Sequence, residues 1–315
     1  VRSRRQRQMC IRDRPTTGHP ERDVTRGIEN TSGPLGQGHT FAAGAAVAEK
    51  FLETKLGSVM MQHKIYAYIS DGGIQEEISQ GTGRLAGALG LNNLIMFYDS
   101  NDIQLSTECN AVTAENTAMK YESWGWNVIT INGNDVAEIR QALDKALQEK
   151  ERPTLIIGNT IMGKGALQAD GSSYERNVKT HGAPLGGDAY KNTIENLGGD
   201  IHHPFAIAED VQALYDNRAD ELRKIVAQRH AAEDQWKAQH PEKATQMKEW
   251  FSGNAPKVDW SSLTQKAGAA TRNASSACLS LLAEQVPNMV CSSADLSNSD
   301  KTDGFLKKTQ SMVKG

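Results

Sequence analysis

KIYAYISDGG at residues 64–73 and LIMFYDSNDI at residues 94–103 decide how this chain reads. Each opens on a short run of aliphatic and aromatic residues, the composition of a β-strand. The second run is apolar at every position from 94 to 98, as a strand buried on both faces requires. Both runs stop abruptly in turn-forming residues, Asp71-Gly72-Gly73 in one and Asp99-Ser100-Asn101-Asp102 in the other. Glu76 and Glu77 follow the first turn, where a helix N-terminus favours negative charge. The order strand, loop, helix, strand is a βαβ unit.

Outward from this unit the pattern repeats. The Ala- and Gly-rich stretch 41–56 predicts a helix able to pack closely on a neighbour. Residues 128–131 and 154–160 predict two further strands, and between them Asp135 and Glu138 form a capping box. The helix so capped carries Val136, Ile139, Leu143 and Leu147 on one face. Strands alternating with helices imply an α/β fold with a doubly wound parallel sheet, whose ligands bind beyond the carboxyl ends of the strands. Residues 15–204 are expected to form this domain. Residues 205–260, charged, helix-prone and interrupted by Pro241, read as a helical connector. From 261 a fresh pattern begins, a helix over 266–284 and a strand at 289–291, the start of a second α/β domain.

Composition narrows the classes. The chain has 315 residues, more than one ordinary core holds, and 38% are apolar. Its 35 basic and 38 acidic residues leave a net charge of -3, which offers no field for nucleic acid or an anionic membrane. No run approaches the roughly 18 apolar residues of a membrane span. Cys10, Cys109, Cys278 and Cys291 are scattered with no C-x-x-C pair, so neither a zinc site nor a disulfide framework is indicated and a reducing cytoplasm fits. Residues 1–14 hold six arginines and could be a basic arm or a presequence, but they resemble translated sequencing-adapter sequence and are set apart from the fold.

Asp71 and Asn101 each follow a strand and lie one crossover apart, which brings them to adjacent strand ends. A carboxylate, an amide oxygen and a nearby carbonyl are hard ligands suited to a magnesium ion that a diphosphate helps to neutralise. Gly72 and Gly73 would let the backbone approach that diphosphate. Two ordinary turn residues are the alternative, and spacing alone leaves it open.

The run from Ser70 to Asn101 resembles the thiamine-diphosphate signature, in which G-D-G leads through a helix and strand to Asn; Ser70 stands where the first glycine would be. GHPE at 18–21, TSGPLGQG at 31–38, THGAPLG at 180–186 and SSADLSNS at 292–299 resemble, in order, blocks of the transketolase family. That resemblance implies thiamine diphosphate as cofactor, with Mg2+ or Ca2+ bound by Asp71, Asn101 and the carbonyl of Ile103. It implies Gly72 against the diphosphate, Gly33, Pro34 and Leu35 along the cofactor ring, and Asp295 near the thiazolium. It places His19 and His181 as catalytic residues beside the cofactor and donor sugar, and Arg272 and Ser299 at a sugar phosphate. Glu76 resembles a carboxylate that couples paired sites in a homodimer, and the other histidines receive no role. The implied reaction, in the pentose phosphate pathway, moves a two-carbon ketol unit from a ketose phosphate to an aldose phosphate. In the family's order the activating glutamate falls beyond residue 315, so this chain alone is expected to be nearly inactive. A cofactor-binding subunit of a split enzyme and a dihydroxyacetone or deoxyxylulose phosphate synthase are the alternatives.

Overall fold

The computed structural model describes residues 21–31, 33–57 and 63–309. His19 and Cys10 lie outside them. The chain divides into two compact units, one running to Ala227 and the other from Gln228.

The first unit is built on four parallel strands, β1 (Ile65–Ser70), β2 (Leu94–Ser100), β3 (Asn127–Asn132) and β4 (Thr154–Asn159), in the order β1-β2-β4-β3. The pairing Ser70↔Asp99 sets the carboxyl ends of β1 and β2 side by side, as the sequence predicts. β2 runs two residues past the expected end at Tyr98. Asp99 and Ser100 pair with Gly158 and Asn159 of β4, so ladder hydrogen bonds override their turn preference.

Helix α1 (Gln37–Leu56) buries Ala42, Ala43 and Ala46 and packs on β1 and on α3 (Glu77–Leu89), which follows the single-turn helix α2 (Asp71–Gln75). These helices cover one face of the sheet, over Ile69, Leu94, Met96, Tyr98, Leu155 and Ile157. Trp126 closes that cluster, its Nε1 donating to the Gly83 carbonyl at 2.8 Å. Each large apolar side chain so buried contributes about 1.5–3 kcal/mol.

After α4 (Thr117–Ser123), helix α5 (Val136–Gln148) covers Ile95, Ile131 and Ile156 on the opposite face. Its cap differs from the expected box. Asp135 accepts from Ala137 and Glu138 N–H, but the Glu138 carboxylate accepts from Asn132 N–H at 2.8 Å. Its buried stripe is Ala142 and Ala146 with Ile139 and Leu143 beside them, whereas Val136 is 64% exposed and Leu147 41%. Small residues face the sheet because they allow a close approach.

Helix α6 (Gly187–Asn196) follows, then α7 (Glu209–Gln239), which runs across the division between the units, and α8 (Pro241–Trp250), whose N1 proline fits a helix start. In the second unit α9 (Thr271–Gln285) packs against a short helix over Asp303–Leu306 around Leu281 and Phe305. The expected strand at 289–291 is absent: no other strand exists among the described residues of this unit to share a ladder with it.

Candidate functional site

The carboxylate of Asp71, 2% exposed, sits at the junction of β1 and α2. Its Oδ1 accepts from the Tyr98 hydroxyl at 2.5 Å, and its Oδ2 accepts from the backbone N–H groups of Asn101 at 2.9 Å and Asp102 at 3.1 Å. The two predicted strand-end residues therefore meet, through the backbone of the Asn101 turn. Asn101 is itself buried, and its Oδ1 accepts from Ile103 N–H at 3.0 Å, folding residues 101–103 into a tight turn. Asp102 at its centre has φ of 66°, a left-handed conformation uncommon for a residue with a side chain.

Two features leave this cluster short of partners. No cationic side chain pairs with Asp71 among the described residues, although a carboxyl group so deeply buried calls for a partner. No donor among them reaches the buried Ile103 carbonyl either. No three His, Cys, Asp or Glu side chains cluster as a metal site among the described residues. The donor set here is one carboxylate, one amide oxygen and one carbonyl, which suits a hard divalent cation carrying further oxygen ligands of its own.

Ser70, the departure from the signature, caps α2, its Oγ accepting from Gly73 N–H. Gly72 faces Leu35, whose Cδ1 would lie 3.4 Å from a Cβ at 72, so the loop 33–36 stands beside the Asp-Gly-Gly turn. Gly36 (φ 80°) makes that approach possible, since a Cβ there would meet Ile78 Cγ2 at 2.6 Å. His181 is exposed on a short turn, and the next residue, Gly182, faces Leu105 just past the Asn101 turn. The structure thus gathers residues 33–36, 71–73, 101–105 and 180–182 in one region. In the second unit Arg272 Nη1 donates to the Ser299 carbonyl at 3.3 Å, and Asp295 is exposed.

Three residues around the Asp71–Gly73 turn carry no role in the sequence reading. Tyr98 is a polar-tipped aromatic in an otherwise apolar strand, placed immediately before the polar loop, and that placement was the available signal. Burial, with the hydrogen bond to Asp71, raises its pKa and keeps the hydroxyl protonated. Burial and the Asp71 charge push the Cys109 thiol up to about 12, so it stays neutral and unreactive. His39 on α1, 5% exposed, has Nδ1 2.7 Å from Ser79 Oγ, which in turn donates to the Gly73 carbonyl at 2.7 Å. Burial lowers the His39 pKa, opposed by a hydrogen bond to the Tyr68 backbone. A histidine inside an Ala-rich buried helix was its signal.

The family model "Transketolase, thiamine diphosphate binding domain" matches residues 4–256. Transketolase of Geobacillus stearothermophilus is 37% identical over 295 residues, covering 91% of this chain and 43% of its own length. Transketolase 2 of Xanthobacter flavus is 35% identical over 303 residues, covering 91% and 42%. Among solved structures, transketolase from Leishmania mexicana superposes with a TM-score of 0.82 at 34% identity, covering 91% of this chain and 43% of that one. A Pichia stipitis transketolase in complex with sedoheptulose-7-phosphate superposes with a TM-score of 0.78 at 29% identity, over 86% and 41%. The chain thus spans less than half the length of these relatives. Among the described residues no helix is long and apolar enough to cross a membrane. A family model matched over most of the sequence, and a fold shared at 34% identity, establish that this chain belongs to the transketolase family and carries its thiamine diphosphate binding domain.

Proposed function

We propose that this chain is the part of a transketolase that holds the cofactor diphosphate and its metal ion. The complete enzyme would transfer a two-carbon ketol unit from a ketose phosphate to an aldose phosphate. The observation that carries this reading is the Asp71 carboxylate, buried with no cationic side chain paired to it among the described residues and drawn to the Asn101 turn. Asp71, Asn101 and the Ile103 carbonyl would hold Mg2+ or Ca2+ as hard oxygen donors. Thiamine diphosphate, when bound, supplies the electron sink for breaking and making the carbon–carbon bond.

The chain's own residues bind and orient. Gly72 leaves room for the diphosphate, and the backbone of Gly33, Pro34 and Leu35 lines the cofactor ring. His19 and His181 hydrogen-bond substrate hydroxyls and move protons there. Arg272 presents a planar fork to the sugar phosphate, Ser299 adds a hydrogen bond, and Asp295 stands by the cofactor. The sedoheptulose-7-phosphate complex of the Pichia relative supports a sugar-phosphate substrate. A homodimer with Glu76 coupling its two sites, and a cytoplasmic setting, complete the proposal.

Titration calorimetry with thiamine diphosphate tests it. Saturable heat is expected with Mg2+ present and none in chelator, and Asp71→Asn abolishes it. The Asn variant should still fold: its amide oxygen can accept from the Asn101 and Asp102 N–H groups, and the rotatable Tyr98 hydroxyl can accept from the amide nitrogen. Heat that ignores metal, or an absence of heat from the folded wild-type chain, would overturn the reading.

A further inference from the structure

We infer that Tyr98 is a positioning residue that sets which divalent ion the site prefers, by pinning the Asp71 carboxylate so that it offers a metal one oxygen and not two. The inference rests on the reading of Asp71, Asn101 and Ile103 as the donor set. Each carboxylate oxygen has two lone-pair sites. Both sites on Oδ2 are taken by the N–H groups of Asn101 and Asp102. Oδ1 gives one to the Tyr98 hydroxyl at 2.5 Å, and the Cys109 thiol adds a hydrogen bond to the same carboxylate, so with both Oδ2 sites filled a metal has only Oδ1 to approach.

Rotation about the bond to the carboxyl carbon is soft, with broad wells, so unrestrained carboxylates turn easily. Donors on both oxygens remove that freedom here. Tyr98 is 7% exposed and held in the packed face of β2, so its own hydroxyl is a rigid post. The consequence is ion-specific. Mg2+ demands near-ideal octahedral geometry, which a fixed single oxygen suits. Ca2+ tolerates irregular shells and bidentate carboxylates, and gains nothing from the restraint. A phenylalanine at 98 keeps the packing volume while releasing Oδ1.

The test compares Mg2+ and Ca2+ titrations of the full chain at fixed thiamine diphosphate, read by calorimetry. Wild type, Tyr98→Phe, Asp71→Asn and Tyr121→Phe are used. Tyr121 is the control because its buried hydroxyl has no hydrogen-bond partner among the described residues. Tyr98→Phe is expected to raise half-saturating Mg2+ about 10-fold to 100-fold, the usual effect of losing a group that orients a metal ligand, and to shift Ca2+ by less than about 3-fold. Urea midpoints of the metal-free variants verify that each folds. A merely structural role would weaken both ions equally, and that result, or no change for either ion, overturns the inference. Asp71→Asn separates the two failures. If it retains metal-dependent binding, the donor set itself is wrong. If it loses binding while Tyr98→Phe keeps the wild-type ratio of the two ions, only the role of Tyr98 falls.

Discussion

His39 shows what one buried side chain adds to the region around the diphosphate turn. Through Ser79 it links α1, which begins just after the loop 33–36, to the Gly73 carbonyl beside Asp71. Its pKa is lowered in the folded chain, chiefly because burial penalises the charged ring. The unfolded chain therefore binds the His39 proton more readily, and stability falls as pH drops below the ordinary value of 6.5 towards the lower folded value. Urea midpoints measured between pH 7.5 and 5 should decline for the wild type, and His39→Gln should flatten that decline. An unchanged slope would mean that His39 does not titrate as its burial requires. At this scale Asp71 and Asn101 were legible because strand-end position needs only local pattern. Tyr98 and His39 were not, since the partners that give them meaning lie 27 and 40 residues away along the chain.

Helix α3 illustrates how an element is held by the absence of side chains. A Cβ on Gly87 would stand 1.9 Å from the Trp124 carbonyl oxygen, backbone that cannot step aside. Gly81, on the same helix, has nothing within 4 Å of its would-be Cβ. Gly87→Ala is expected to destabilise by about 3 kcal/mol through overpacking. Gly81→Ala should stabilise by about 0.5–1 kcal/mol, the usual advantage of alanine in a helix interior. Chemical denaturation of the two variants checks both signs at once, and equal effects would show that α3 does not approach Trp124 as described. The same contact explains a limit of pattern reading. Sequence pattern located every strand of the sheet and the helices α3 and α5, and missed α4, a helix of only seven residues. It named Val136 and Leu147 for the buried face of α5, where the close approach to the sheet selects Ala142 and Ala146 instead. The expected strand at 289–291 failed for a different reason: propensity is local, whereas a strand exists only with a neighbour to bond.

The whole molecule carries its stability unevenly. The first unit has three parallel strand pairings and a cluster on each face of the sheet. In the second, the buried apolar residues among those described are Trp236, Leu281, Val286 and Phe305. So thin a core supports little stability of its own, and this unit should open at lower free energy than the sheet. Asp71, Asn101 and Ile103 all belong to the first unit. A ligand stabilises only those states in which its site is intact, by about 2.7 kcal/mol at a free concentration 100 times Kd. Native-state hydrogen exchange with and without thiamine diphosphate and Mg2+ separates the units. Amides of β2 and β4 should gain up to that amount of protection, while those of α9 exchange faster than the sheet and are unmoved by ligand. If α9 gains the same protection, the chain opens as one cooperative body, and the free energy of cofactor binding is shared by residues far beyond the strand ends that receive it.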